Sequence, residues 1–318
     1  MSGGAAAAGA EPPHSPASAE ADDETAELEL SLLRFWRLPG QLLGIWRELD
    51  ARAARLREEA RGEDGRERWD RRPLIAFCAG AVFLTLMEYF GMPRHWQWVA
   101  DHFAEMEYAG ELDSTIWRDL SDPFDSRWGE LCGHAWWAIW RVLGFLVFPV
   151  VLLKGLGYRL RDQHLRWRGT RAHLGIYLKA FALVLVAVVV ASFFEGFQEY
   201  YPFYDKSHLS WAELLLWELL YVLQFLSLEF FFRGWWLKAG ERLGSHAIFA
   251  MVVPYVMIHF GKELAETLGA ILAGVFLGTL AMRTRSIWGG FLVHGLVAVS
   301  MDVAAMLQTT GLPRQWWP

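Results

Sequence analysis

An all-α, polytopic transmembrane helix bundle of about seven spans is the fold class this sequence predicts, on three observations. Hydrophobic residues make up 54% of the 318 and aromatic residues 15%, with 18 Trp, which is more than an ordinary soluble domain carries. Seven stretches approach or reach the roughly 20 apolar residues needed to cross a bilayer. The segments that join them alternate between basic and acidic composition.

Residues 1–27 are rich in Ala, Gly, Pro and Glu and lack a basic segment followed by an apolar core, so they read as a disordered tail rather than a signal peptide. Residues 28–72 form an amphipathic and charged segment. Within it, Leu28 to Leu49 mixes apolar residues with Trp36, Trp46 and scattered Arg. That pattern suits a short helix pair on the membrane surface, or equally a helix packed on the protein's own domain. Arg52 to Arg72 carries dense charge of both signs and reads as a solvated helix or linker.

Residues 73–200 hold the first three spans, Leu74 to Met92, Ala135 to Leu156 and His173 to Phe197. Residues 211–307 hold the other four: Trp211 to Leu237, His246 to Phe260, Glu266 to Met282 and Ile287 to Leu307. The fifth is short for a span. Arg66, Arg68, Arg71 and Arg72 precede the first span, and Lys154, Arg159, Arg161, Arg166, Arg168 and Arg171 join the second to the third. An excess of Lys and Arg marks cytoplasmic loops, so both segments are expected inside, as are Lys238, Arg242, Arg283 and Arg285. The loop after the first span carries Asp101, Glu105, Glu107, Glu111, Asp113, Asp119, Asp122, Asp125 and Glu130. It is expected outside, as a lid, a docking surface or an ordinary solvated loop. The whole reads as an integral protein of the cytoplasmic (inner) membrane, N-terminus inside and C-terminus outside, with membrane lipid as its surroundings.

A net charge of −6 gives no basic field for nucleic acid, and no zinc-knuckle, helix-turn-helix or RNA-binding signature is present. The two cysteines, Cys78 and Cys132, fall near opposite ends of their spans and suggest neither a disulfide nor a metal pair. His-Glu-x-x-His, Gly-x-Ser-x-Gly, Gly-x-Gly-Asp, Walker A and dinucleotide motifs are all missing, which disfavours those protease mechanisms, an ATP-driven pump and a nicotinamide enzyme.

Ionisable residues inside apolar spans are costly, and each is a candidate for function. Glu88, Glu195, Glu213 and Glu218 sit toward span ends or beside aromatic residues and read as structural or interfacial. The concentrated signal is SLEFFFRGWW, where Glu229 and Arg233 are four apart and share a helix face. Taken alone it reads as a buried ion pair. PYVMIH adds His259, and SIWGGFLVHGLVAVSMD adds His294 and Asp302. With a hairpin turn at Gly244, Glu229 and His259 each lie about 22 Å along their helices from the turn, and His294 about 15 Å from its cytoplasmic end, at 1.5 Å per residue. Three polar groups from three helices are therefore expected to meet within the bilayer. Glu263 and Glu266 follow His259 on the same face if the helix continues, although Gly261 and Lys262 are a place for it to stop. Phe230, Phe231, Phe232, Trp235 and Trp236 read as lipid-facing or interfacial packing.

From Trp211 to Leu307 these motifs, in this order, resemble the CAAX prenyl protease and bacteriocin-processing family, also called Abi. The family's Glu-Glu-x-x-x-Arg motif is matched by Glu229 and Arg233, with Leu228 in place of the first Glu and Gly234 following. Its aromatic-x-x-x-His motif is matched by Tyr255 and His259. Its His-x-x-x-Asn motif is matched by His294, with Ala298 in place of Asn. Gly274 and Gly278 match its small-residue helix pair and permit close helix approach. The resemblance implies an intramembrane endopeptidase that hydrolyses a peptide bond of a membrane-associated protein or peptide through water activated by a carboxylate and histidines. Glu229, His259 and His294 are then the catalytic candidates and Arg233 and Asp302 the supporting ones. Glu229 is the base, or else it is the structural partner of Arg233 while the histidines orient water. Zinc held by His259, His294 and a carboxylate is the alternative cofactor reading, with no cofactor otherwise called for. Prenylated CAAX proteins, peptide precursors and other membrane proteins all stay open as substrates. Leu228 and Ala298 motivate the other function class, a catalytically inactive member acting as a membrane scaffold or immunity protein.

Overall fold

A computed structural model of the chain describes residues 38–62, 64–65, 69–122 and 126–317. The tail expected at 1–27 lies outside the described residues, as do Trp36, Arg66, Arg68 and Asp125 of the sequence reading. Among the described residues six helices are long and apolar enough to cross a membrane, and a seventh apolar helix is shorter. The spans are α2 (Arg71–Phe90), α5 (Gly129–Gly155), α7 (Leu174–Ala191), α9 (Trp211–Ala239), α11 (Leu264–Thr284) and α12 (Trp288–Gln308). The shorter helix is α10 (His246–Met257). Its 12 residues rise about 18 Å, well short of a hydrocarbon core of about 30 Å.

Local sequence accounts for where several helices start. Asp70 caps α2 by accepting from Arg72 N at 3.1 Å. Ser210 caps α9, its Oγ accepting from Glu213 N at 3.2 Å, and Glu213 reaches back to within 2.6 Å of the same hydroxyl. Glu213 also receives two hydrogen bonds from Arg127 at 2.8 Å, which makes it a structural acid at the span end. The turn between α9 and α10 is closed by Gly244, whose φ of 62° is left-handed.

α9 is the central helix. Half of its apolar window is buried, against 17% for α2 and for α7. It packs on α5 and α12, while α10 packs on α11 and α7 on α12. Residues Phe230–Trp236 form a π-helical segment within α9, and all seven are buried. The aromatic residues there were expected to face lipid or the interface, and they do not. α2, α5, α10 and α11 surround this stretch, so Phe231, Phe232, Trp235 and Trp236 form the centre of the largest apolar core with Phe145, Ile248 and Met251.

Among the described residues the segment before the first span holds a 22-residue helix, α1 (Leu38–Glu59); residues 28–37, the first part of the expected helix pair, lie outside them. α1 packs on the protein itself. Ile45, Leu49 and Ala53 are buried, Trp46 Nε1 donates to Thr279 of α11 at 2.9 Å, and Asp50 accepts from Ser245 N at 2.7 Å. The acidic loop between the first two spans also differs from a simple loop, because it holds α3 (Pro93–Tyr108) and α4 (Ile116–Leu120). Pro93 opens α3, and the fully buried Glu107 carboxylate accepts from the backbone of Trp117 and Arg118, at 3.1 and 2.9 Å, and from the Ser114 hydroxyl. Burial opposes the charge of Glu107, but these hydrogen bonds and Arg118 prevail and hold its carboxyl below the usual range. One further short helix, α6 (Trp167–Ala172), precedes α7, and another, α8 (Glu195–Tyr200), follows it. Cys78 and Cys132 are free thiols.

Candidate active site

Glu229 is the last α-helical residue before the π-helical segment of α9. Its carboxylate and the Arg233 guanidinium are both fully buried, and Arg233 Nη1 donates to Glu229 Oε1. The same oxygen accepts from His294 Nδ1 of α12 at 2.6 Å. His294 Nε2 lies 2.9 Å from the Tyr255 hydroxyl of α10, and the Arg233 guanidinium sits over the Tyr255 ring, 4.7 Å from its centre. Three helices thus contribute to one chain of contacts running from Arg233 through Glu229 and His294 to Tyr255. An unpaired carboxylate or guanidinium in an apolar interior is strongly destabilising, and these contacts partner each charge, although Glu229 Oε2 and Arg233 Nε and Nη2 have no hydrogen-bond partner among the described residues.

His259 enters through Tyr255. α10 stops at Met257, and the chain reverses at Gly261, whose φ is 91°. His259 Nδ1 donates to the Tyr255 carbonyl at 2.8 Å, and the two rings lie 4.9 Å apart. The Thr267 hydroxyl of α11 donates to the His259 carbonyl at 3.0 Å, which fixes the backbone there. A carboxylate and a carbonyl can only accept, so Nδ1 carries a hydrogen in both imidazoles, and in the neutral form of either ring Nε2 holds the lone pair. His294 keeps 15% of its side chain exposed while Glu229 keeps none, so the imidazole rather than the carboxylate is open to a reactant.

Small residues make the arrangement fit. A Cβ at Gly290 of α12 would come within 2.3 Å of Glu229 Oε2, so only glycine leaves room for the carboxylate against that helix. A Cβ at Gly274 of α11 would meet the Tyr255 ring at 3.0 Å, and one at Gly278 would meet Met251 at 2.9 Å. Phe225, one helical turn before Glu229, stacks on His294 with ring centres 5.5 Å apart.

The remaining candidates lie apart from this cluster. Asp302 accepts from Trp217 Nε1 at 2.7 Å and does not contact His294. It belongs with Glu218 in a second buried acidic region, where both Glu218 oxygens and Asp302 Oδ1 lack a hydrogen-bond partner among the described residues. Glu266 accepts from Lys262 at 2.5 Å and from the Tyr201 hydroxyl at 2.8 Å. Leu228 and Ala298 are buried, in different apolar clusters. No group of three His, Cys, Asp or Glu residues that could hold a metal ion occurs among the described residues, so His259 and His294 have no third ligand of the kind the zinc reading requires. Both nitrogens of His294 are already engaged by protein atoms.

Tyr255 and Gly290 are the residues whose part sequence reasoning missed. Tyr255 was visible as the aromatic of its motif, and a hydroxyl in an apolar helix one turn before a histidine was the signal. Gly290 had no such signal, since it follows another glycine, Gly289, and only the Glu229 carboxylate opposite distinguishes the two.

These contacts fall within one stretch of the chain. Residues 210–300 match the family model of the Rce1-like type II CAAX prenyl endopeptidases. The match agrees with the resemblance read from the motifs and leaves residues 1–209 outside it. No curated protein and no solved structure matches the chain. The Rce1-like segment therefore spans α9 to most of α12, and every member of the Arg233–Glu229–His294–Tyr255 chain lies in it.

Proposed function

We propose that this protein is an intramembrane endopeptidase that hydrolyses a peptide bond of a membrane-associated protein or peptide, with water activated by the Glu229–His294 pair. The observation that carries the proposal is the 2.6 Å contact from His294 Nδ1 to Glu229 Oε1, which turns Nε2 of the partly exposed imidazole toward the buried Tyr255 hydroxyl. A carboxylate behind an imidazole holds one tautomer and stabilises the imidazolium that forms when Nε2 takes a proton. In the reaction, water takes the place of the Tyr255 hydroxyl at Nε2 and gives that nitrogen a proton as its oxygen bonds to the peptide carbonyl carbon. The oxyanion that develops is met by the displaced Tyr255 hydroxyl, and His259 helps to position the water. The C–N bond then breaks, and the proton on His294 passes to the leaving nitrogen.

Glu229 acts through His294 in this scheme. Its Oε1 is taken by Arg233 and His294, and its Oε2 has no hydrogen-bond partner among the described residues but is fully buried against Gly290, so the carboxylate is less open to a substrate water than the His294 ring. The second of the two roles expected for Glu229 is thus the one its surroundings favour.

The basic end of the bundle, with the 157–166 loop, Arg242 and Arg285, would face the cytoplasm, and the α3–α4 segment the opposite side.

Substrates are sought by comparing new protein termini in membranes of cells carrying the intact chain and cells carrying His294→Ala or His259→Ala, at matched expression. Termini should disappear in the His294→Ala cells, since loss of a positioned base costs about 10²- to 10⁴-fold. An unchanged set, with all proteins folded and abundant, would leave a second reading, a catalytically silent member that acts by binding. The burial of Leu228 and Ala298 in apolar clusters, where the family motif carries Glu and Asn, is the observation that favours it.

A further inference from the structure

A cavity of about 360 Å³ lies at the basic end of the bundle, between the 157–166 loop, the start of α2 and the ends of α5 and α9. Arg72, Arg159, Arg161, Arg166, Lys238 and Arg285 line it, against a single lining carboxylate, Asp162. Arg72 is already paired with Asp70 at 2.7 Å and shares Glu241 with Lys238. Arg159, Arg161 and Arg166 form no ion pair among the described residues, and their side chains are exposed. Ile75, Leu152, Leu156 and Trp235 give it an apolar lining as well.

A loop that only obeyed the positive-inside rule would spread its cations into water. This one is pinned so that they converge. His164 is buried, and its Nδ1 donates to the Arg233 carbonyl at 2.8 Å. Leu165 forms an antiparallel bridge with Ser286, and the Thr170 and Ser286 hydroxyls lie 2.6 Å apart. His164 and Arg285, which flank the bridge, have φ of 55° and 52°, left-handed values that a non-glycine residue holds only when its surroundings impose them. Convergent guanidinium groups repel one another, and a bound anion removes that repulsion. Phosphate oxygens suit the planar forks of arginine best.

We propose that this cavity binds a phosphate group, either the headgroup of an anionic phospholipid of the adjacent leaflet or a soluble phosphate. A lipid would lay its glycerol and first acyl carbons against the apolar lining residues. The site does not touch Glu229, His259 or His294 and is independent of whether the chain is a peptidase.

The test uses the full chain in phosphatidylcholine nanodiscs. Three probes are titrated: dioctanoyl phosphatidylglycerol, dioctanoyl phosphatidylcholine and inorganic phosphate. Binding is followed by native mass spectrometry and by the thermal unfolding midpoint. Saturable one-to-one binding is expected for phosphatidylglycerol or phosphate and not for phosphatidylcholine. It should weaken about fivefold for each cation removed in Arg159→Gln/Arg166→Gln. It should be unchanged in Arg168→Gln/Arg171→Gln, two exposed residues of α6 outside the cavity. Saturation by phosphatidylglycerol alone assigns the lipid as the source, and equal competition by inorganic phosphate assigns a soluble one. Absence of saturation by both probes, or equal weakening in the two double variants, would overturn the proposal in favour of a diffuse basic surface. If the unliganded midpoint of the first variant drops, Arg161→Gln alone provides the same comparison.

Discussion

Arg233 and Glu229 are completely buried, and their spacing of four residues would be unremarkable on a solvated helix. Inside the bundle it is consequential, because neither charge has water to turn to. The Tyr255 ring and the His294 imidazole take water's place. Leu228, next to Glu229, points into the core, so a one-residue difference in the motif changes a carboxylate into packing. His164 shows the same logic outside the spans. Burial is the main reason its imidazole is pushed down to about 4 from 6.5, helped by Lys238 and Arg52, although the Arg233 carbonyl favours the protonated ring. A folded-state value below the unfolded one means that the unfolded chain binds the proton first. Stability from neutral His164 is therefore complete above about pH 6.5 and lost as pH falls from there toward 4. The loss amounts to about 3 kcal/mol at 1.36 kcal/mol per unit. Thermal unfolding in detergent at pH 7.5 and 5 should show a drop in midpoint that is reduced in His164→Asn, since Asn accepts a left-handed backbone and can still donate to the carbonyl. An equal drop in both proteins would assign the acid sensitivity to another group.

Among elements, α9 and α12 decide the architecture. The π-helical segment of α9 places seven consecutive residues against neighbours, which a regular helix with one lipid face would not do. Such segments occur often at functional sites, and here the segment begins one residue after Glu229. α12 approaches its neighbours through glycines that are not equivalent. A Cβ at Gly289 would fall 2.1 Å from the buried Tyr177 ring of α7, whereas one at Gly295 would meet Val222 at an ordinary 3.7 Å. Gly289→Ala should therefore destabilise by about 1–3 kcal/mol through overpacking. Gly295→Ala should be neutral or stabilising by up to about 1 kcal/mol, because alanine is the better helix former. Unfolding midpoints of the two variants in the same detergent test the contrast, and equal effects would mean that α7 and α12 are packed less tightly than they stand here.

Across the whole molecule, charge is sorted by end. α1, the 157–166 loop, the 240–245 turn and Arg285 gather at one end, tied together by Arg72 with Glu241 at 2.9 Å and Asp50 with Ser245. α3, α4 and the Lys262–Glu266–Tyr201 cluster belong to the other. The proposed orientation is measurable. In a background with Cys78→Ser and Cys132→Ser, a cysteine at Glu111 should react with a membrane-impermeant maleimide on intact cells. One at Arg161 should react only after permeabilisation. The reverse pattern would invert the topology and move the basic cavity to the outer leaflet.

The spans were legible because a bilayer offers no hydrogen bonds, so each crossing must be a long apolar helix and leaves that run in the sequence. The Glu229–Arg233 pair and the two histidines were legible for the related reason that charge is rare in such runs. Tertiary structure alone decided the rest. It turned the SLEFFFRGWW aromatics inward by surrounding α9, laid α1 on α11 through Trp46, and gave Asp302 to Trp217 rather than to His294. It also built the Glu229–His294–Tyr255 chain, whose members come from three helices up to 65 residues apart. Each of those outcomes depends on which faces of different helices meet, and that is set by packing of the whole bundle rather than by any local pattern.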